Sequence, residues 1–242
     1  MKELADSFNK MAEELENTEM LRSEFINNFS HEFKTPIVSI AGFAKLLKRG
    51  DLTEEQREEY LDIIEEESLR LSRMATNVLN LTRVENQAIL TNVTEFNLSE
   101  QLRGCVLLLE RKWEKKGLSF QLEFGEYMIS ANEELLREVW INLLDNAIKF
   151  SPDGAVIEVE IREYDGTIWV SVANMGSVIP EESIEKIFHK FYQADESHSL
   201  EGSGVGLAIV KRVLTLHQGS ISVRSGEGRT VFTAELPADG PG

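Results

Sequence analysis

The spacing of apolar residues changes period once along this chain, and that change divides it into a helical part and a mixed one. Leu4, Phe8, Met11 and Leu15 recur at steps of four, three and four, the seam of a coiled coil. The phase loosens around Thr18 to Arg22, resumes through Leu21, Phe25 and Phe29, and continues with Ile37, Ile40, Phe43 and Leu47. One helix of about 45 residues, with a local break, accounts for this pattern. Arg49-Gly50-Asp51 stops it, because glycine takes the left-handed conformation at a helix end. Thr53-Glu-Glu-Gln56 is a capping-box signature and opens a second helix, with Tyr60, Ile64, Leu71, Met74, Val78 and Leu81 on one stripe, running to about Ala88. The pair reads as an antiparallel hairpin. Each stripe is too wide for one partner, so two chains are expected to join as a dimeric four-helix bundle.

After Thr91-Asn92 shorter helical segments, 98–115 and 132–150, alternate with stretches of period two. Ile157, Val159 and Ile161 alternate with Glu158 and Glu160, and Ile168, Val170 and Val172 with Trp169 and Ser171. These are half-buried antiparallel strands joined by the turn Asp165-Gly166. Ile221 and Val223, then Thr230, Phe232, Ala234 and Leu236, form another pair around Gly226-Glu-Gly228. The expected fold class is therefore a two-domain chain, a helical hairpin followed by an α+β sandwich with helices on one face of a mixed sheet. The last residues, 238–242, read as a frayed tail.

Charge narrows the function. The 242 residues carry 25 Lys and Arg against 42 Asp and Glu, a formal charge of -17, so a phosphate-neutralising surface for nucleic acid is not expected. The single cysteine, Cys105, lies in an apolar run and reads as a buried small hydrophobe in a reducing compartment. No apolar stretch approaches the roughly 20 residues that cross a bilayer, and the N-terminus lacks a signal-peptide layout. Because the chain opens inside what reads as a helix, it is expected to be the soluble, cytoplasmic part of something larger.

Three constellations carry chemistry. In Phe25-Ile-Asn-Asn-Phe-Ser-His31-Glu32-Phe-Lys-Thr35-Pro36, the imidazole has polar neighbours and no second metal ligand nearby, so His31 reads as a nucleophile. Thr35, four residues on, shares its face. Pro36 leaves the carbonyl of Glu32 without its donor and bends the helix, which lets that carboxylate hold one ring nitrogen and free the other. In Asn142-Leu-Leu-Asp-Asn146-Ala-Ile-Lys149-Phe150-Ser151, two carboxamides and an ammonium share one helical face. Amide oxygens suit Mg2+ beside phosphates, and the ammonium neutralises phosphate charge. In Gly202-Ser-Gly204-Val-Gly206-Leu207, glycines run into an apolar helix whose free N–H groups suit phosphate, after a polar segment that reads as a lid. Between these lie Val172-Ala-Asn174-Met-Gly176-Ser-Val178-Ile179-Pro180, a strand entering a loop, and Phe188 and Phe191, which on their own read as core.

In this order the motifs resemble the sensor histidine kinases of two-component signalling. The run around His31 resembles that family's phospho-acceptor box. Asn142 to Ser151 resembles its N box, Asn174 to Pro180 its first glycine box, Phe188 to Phe191 its F box, and Gly202 to Gly206 its second glycine box. The resemblance implies a dimerisation and histidine phosphotransfer hairpin at 21–92 and a Bergerat-type catalytic domain at 96–237. It also implies the end of a HAMP-like signal relay at 1–20, with a membrane sensor upstream in the cell membrane. By the same resemblance His31 attacks the γ-phosphate of ATP with Glu32 as general base, and the phosphoryl group passes to an aspartate on a response regulator receiver domain. Thr35 would orient water for dephosphorylation of that regulator. Asn146 would hold Mg2+, with Asn142 and Lys149 near the phosphates, Phe150 against the nucleotide and Gly202, Gly204 and Gly206 around the triphosphate. Asn174, Gly176, Ile179, Phe188, Phe191 and Leu207 complete the implied ATP pocket.

One box departs from the family pattern. Asn174 stands where an aspartate usually accepts the adenine amino group, and Val178 where a glycine is usual. The amide oxygen accepts the same bond without charge. An alternative reading follows from the same two residues, a pseudokinase scaffold that docks a regulator with weakened ATP binding. An ATP-gated clamp of the Bergerat fold needs a glutamate where this chain has Asn142, and leaves His31 without use.

Overall fold

The structure is a computed structural model that describes residues 30, 33–50, 52–87, 89–176, 178–190, 192 and 204–240. The N-terminal seam, His31, Glu32, Phe191 and Gly202 lie outside the described residues. The chain divides into two compact units, Met1–Thr76 and Asn77–Gly242.

In the first unit, helix α1 covers 33–47 and ends in a turn that reaches Gly50 at φ 81°. Helix α2, Glu54–Asn86, opens on the expected capping box. The Thr53 amide donates to Gln56 Oε1 at 3.1 Å, and the Gln56 amide to Thr53 Oγ1 at 3.2 Å. Across the hairpin the rings of Phe43 and Tyr60 meet at 5.1 Å between centroids, and Pro36 and Met74 are buried.

The second unit contains the sandwich. Its five-stranded mixed sheet runs in the order β2-β4-β5-β7-β6. The strands are β2 (Ser119–Glu123), β4 (Val156–Tyr164), β5 (Thr167–Met175), β6 (Ser220–Gly226) and β7 (Arg229–Pro237). Both expected hairpins are present, with positive φ at Asp165 and Gly166 in one turn and at Glu227 and Gly228 in the other. Alternation divides the sheet into a dry face, with Ile157, Val159, Ile161, Val170, Val172 and Ala234 buried, and a wetter face carrying Glu158 and Trp169. Helices α3 (Leu98–Leu108), α4 (Glu110–Lys115), α5 (Glu133–Phe150) and α6 (Gly206–Leu216) follow the chain order, and α5 and α6 pack on the sheet.

Four features differ from the sequence reading. The segment 98–115 is two helices, because Leu109 leaves the helical path to be buried at 6% exposure. The carbonyl of Val106 at that break accepts from the Leu109 amide and from Trp113 Nε1 at 3.0 Å. A two-stranded ribbon, β1 (Thr94–Asn97) with β3 (Met128–Ala131), and the edge strand β2 are added: β1 and β2 hold no fully buried residue, and β3 alternates over only four residues, too short a run to mark a strand. Residues 238–240 are not frayed: the Ser130 amide donates to Ala238 O at 3.4 Å and the Ala238 amide to Gly166 O at 2.9 Å.

The end of α2 belongs to this second unit. Leu81 and Val84 are buried in its core, and Arg212 of α6 donates to the Gln87 carbonyl at 2.7 Å.

Candidate functional site

Helix α5 positions the central side chains, and both of its ends are fixed. At the start Asn132 Oδ1 accepts from the Leu135 amide at 3.0 Å, while its Nδ2 donates to Thr91 O at 2.7 Å. At the end Lys116 Nζ donates to the carbonyls of Ile148, Lys149 and Ser151 at 3.0, 3.1 and 2.7 Å. A cation on a helix's last carbonyls satisfies orphan acceptors and the dipole together. Between the ends, Leu136, Val139, Trp140, Leu143, Leu144 and Ala147 are buried, and the Trp140 indole donates to Gln101 Oε1 at 2.8 Å. The opposite stripe is half-buried and polar: Asn142, Asn146 and Lys149, with Phe150 beside them. Lys149 Nζ lies 4.8 Å from the centre of the Phe150 ring.

The start of α6 closes on this stripe. Asn142 Nδ2 donates to Glu138 O at 2.7 Å, which turns Oδ1 outward; a Cβ on Gly206 would come within 2.5 Å of that oxygen. An added Cβ would have to displace that carboxamide. Among the described residues the N-terminus of α6 has no side-chain cap, a geometry suited to an anion, and Gly204 at φ 62° shapes the entry. Leu207 packs against the core from the same turn.

The end of β5 closes on the other side. Gly176 takes φ 121°, donates to Gly228 O at 2.8 Å, and would place a Cβ within 2.5 Å of Phe150 O. Asn174 is buried at 4% exposure with Nδ2 donating to Met175 O at 3.2 Å. Val178 is not among the positive-φ residues, so it needs no glycine-like backbone. Phe188 is packed edge-on to Phe232 at 6.4 Å with Lys211 over it, the core placement its type suggested. The structure thus brings Asn142, Asn146, Lys149, Phe150, Asn174, Gly176 and Gly206 around one surface. Thr35, exposed on α1, belongs to the first unit.

Residues 131–240 match the family model described as histidine kinase-, DNA gyrase B- and HSP90-like ATPase, and residues 21–87 match the His Kinase A (phospho-acceptor) domain. Sensor histidine kinase CusS of Escherichia coli is 30% identical over 242 residues, 99% of this chain and 50% of that protein. The chain spans about half the length of the curated relatives it matches. The nucleotide-free catalytic domain of histidine kinase ThkA is 32% identical, with TM-score 0.56, over 62% of this chain and 97% of that one. ThkA in complex with response regulator protein TrrA is 29% identical, with TM-score 0.73, over 89% of this chain and 61% of that one. Full-length ShkA in complex with AMPPNP is 28% identical, with TM-score 0.67, over 92% of this chain and 46% of that one. The chain belongs to the sensor histidine kinase family.

For a histidine kinase, three residues beside this surface were not among the expected site residues: Thr230, read only as part of a strand, Ser225 and Glu138. Thr230 is buried and stands opposite Asn174 across β5 and β7; its Oγ1 is 2.6 Å from Ser225 Oγ, which accepts from the Ile179 amide at 2.8 Å. These hydroxyls tie the loop after Asn174 to the β6–β7 hairpin. The available signal was a hydroxyl two residues beyond Gly228, buried where a strand should carry an apolar residue. Glu138, one turn before Asn142, has its carboxyl raised above the ordinary value by burial, against the opposing charge of Arg83.

Proposed function

We propose that this chain is the cytoplasmic kinase core of a two-component sensor, which moves the γ-phosphoryl group of ATP to His31 and then to an aspartate of a response regulator. One observation carries the reading: the Asn142, Asn146 and Lys149 stripe meets the uncapped start of α6 at Gly206 and the buried amide of Asn174. Triphosphate and base would thus be held at opposite ends of one surface. The AMPPNP in ShkA and the regulator bound to ThkA support the same nucleotide and partner classes here.

Asn174 Oδ1 accepts the adenine amino hydrogen, backed by Thr230. Ile179, Phe188, Phe191 and Leu207 border the nucleotide, with Phe150 against it. Gly202, Gly204 and Gly206 let backbone N–H groups approach the phosphates, and Asn142 and Lys149 orient and neutralise them. The carboxamide oxygen of Asn146 is a hard donor suited to Mg2+, which would offset charge on the phosphates. At His31, Glu32 holds one ring nitrogen and accepts its proton. The other nitrogen bonds phosphorus as the bond from phosphorus to the β–γ bridging oxygen breaks, and ADP leaves. The regulator's aspartate then displaces the imidazole, and Thr35 orients water for the later hydrolysis of that aspartyl phosphate, which releases inorganic phosphate. The hairpin at 21–92 would act as a homodimer, below a HAMP-like segment at 1–20 and a membrane sensor.

Incubation with γ-32P-ATP and Mg2+ is expected to give acid-labile, alkali-stable label that a receiver domain discharges. His31→Gln should carry none. Label that persists in His31→Gln overturns the assignment, and absence of label together with weak or no AMPPNP binding by calorimetry favours the scaffold.

A further inference from the structure

The stripe that α2 turns toward the bundle contains a charge. Tyr60, Ile64, Leu71 and Met74 leave one place in the four-three alternation, and Glu67 fills it. Its Oε2 is buried and has no hydrogen-bond partner among the described residues. Arg70, one turn on, brings Nη1 to 3.8 Å, inside ion-pair range but beyond a hydrogen bond, with the two side chains 30% and 21% exposed for Arg70 and Glu67. A carboxylate at a seam position is costly unless a donor completes it, and a guanidinium carries five donors in a fixed fork.

A contact across a two-fold axis occurs twice, so residues one turn apart with opposite charge complement themselves in a second copy. We propose that Glu67 and Arg70 form a reciprocal ionic layer between two copies of this chain, the carboxylate of each accepting from the partner subunit's Arg70. The inference rests on the homodimer reading and deepens it. Apolar positions above and below the layer supply affinity. The layer supplies register and partner choice, because a shifted pairing, or a related kinase without this pair, leaves both charges buried and unmatched.

Charge exchange between differently tagged full chains tests this. Glu67→Arg places two cations on each copy and Arg70→Glu two anions on each copy, so each variant alone should self-associate at least about tenfold more weakly than the native chain by sedimentation equilibrium. Mixed in equal amounts, the two should form heterodimers within about threefold of native affinity, since each then meets its opposite. That recovery also shows that both variants fold. Single variants that dimerise as the native chain does, or a mixture no tighter than its components, overturn the layer while the homodimer stands. A native chain that is monomeric at all concentrations overturns the homodimer reading itself.

Discussion

His217 is 1% exposed at the end of α6, and its two ring nitrogens have different tasks. Nδ1 lies 2.8 Å from Val213 O and Nε2 accepts from the Asn132 amide at 3.1 Å, which fixes the neutral tautomer with the proton on Nδ1. Protonation would turn Nε2 into a donor facing a donor. Burial accordingly lowers its pKa below the ordinary 6.5, while the bond to Val213 opposes. The unfolded chain therefore binds the proton first, so the His217 contribution is whole above pH 6.5 and is lost as pH falls from there toward the folded value. Urea unfolding between pH 7.5 and 5.5 should show a steeper loss of stability for the native chain than for His217→Gln, by at most about 1.4 kcal/mol per pH unit. Parallel slopes would remove the histidine from the acid response. Gly206 gives a contrasting test: Gly206→Ala would push aside the Asn142 carboxamide, so AMPPNP affinity measured by calorimetry should drop about tenfold with little change in Tm. Asn142 and Gly206 were legible in the sequence because helical spacing aligned the first and a glycine run exposed the second. Thr230 was legible only as a strand residue and Ser225 not at all, because what a strand hydroxyl bonds is unknown until its neighbours across the sheet are known.

Among the elements, α5 holds the polar stripe of Asn142, Asn146 and Lys149 and depends on Lys116 for its final turn. Three carbonyls converge on that ammonium. Lys116→Met keeps the stem but removes the donors, and should destabilise the chain by about 1.5–3 kcal/mol in urea titration. A loss within about 0.5 kcal/mol, the range of an ordinary surface change, would mean that water replaces the cap. The α5 boundaries were readable from Asn132 and Ser151, but its Lys116 cap was not, since the lysine lies over 30 residues earlier in a turn that only the folded sheet brings near. The short strands escaped for a related reason. β2 leaves all but Phe120 exposed, so the two-residue period that marks β4 and β5 is absent from it.

For the whole molecule, the change of apolar period announced two parts, yet the compact units divide at Thr76 and Asn77, inside α2. The stripe passes Leu71, Met74, Val78 and Leu81 without interruption, so spacing could not show that Leu81 and Val84 are committed to the second core. Cys105 reports on that core. It is 2% exposed, and burial pushes its thiol up to about 11. Maleimide should not label it at neutral pH until denaturant opens the second unit, and labelling should track the loss of β-sheet signal in circular dichroism. Rapid labelling of the native chain would show that this core opens locally. The sheet order has a further consequence for how the chain is made. β7 follows β6 in sequence but lies between β5 and β6 in space. As the chain emerges from the ribosome, β5 keeps an open edge and β6 waits without a partner until β7 arrives to join them. The core lacks Phe232, Ala234 and Leu236 of β7 for that interval, and the open strand edges are what a binding chaperone would find.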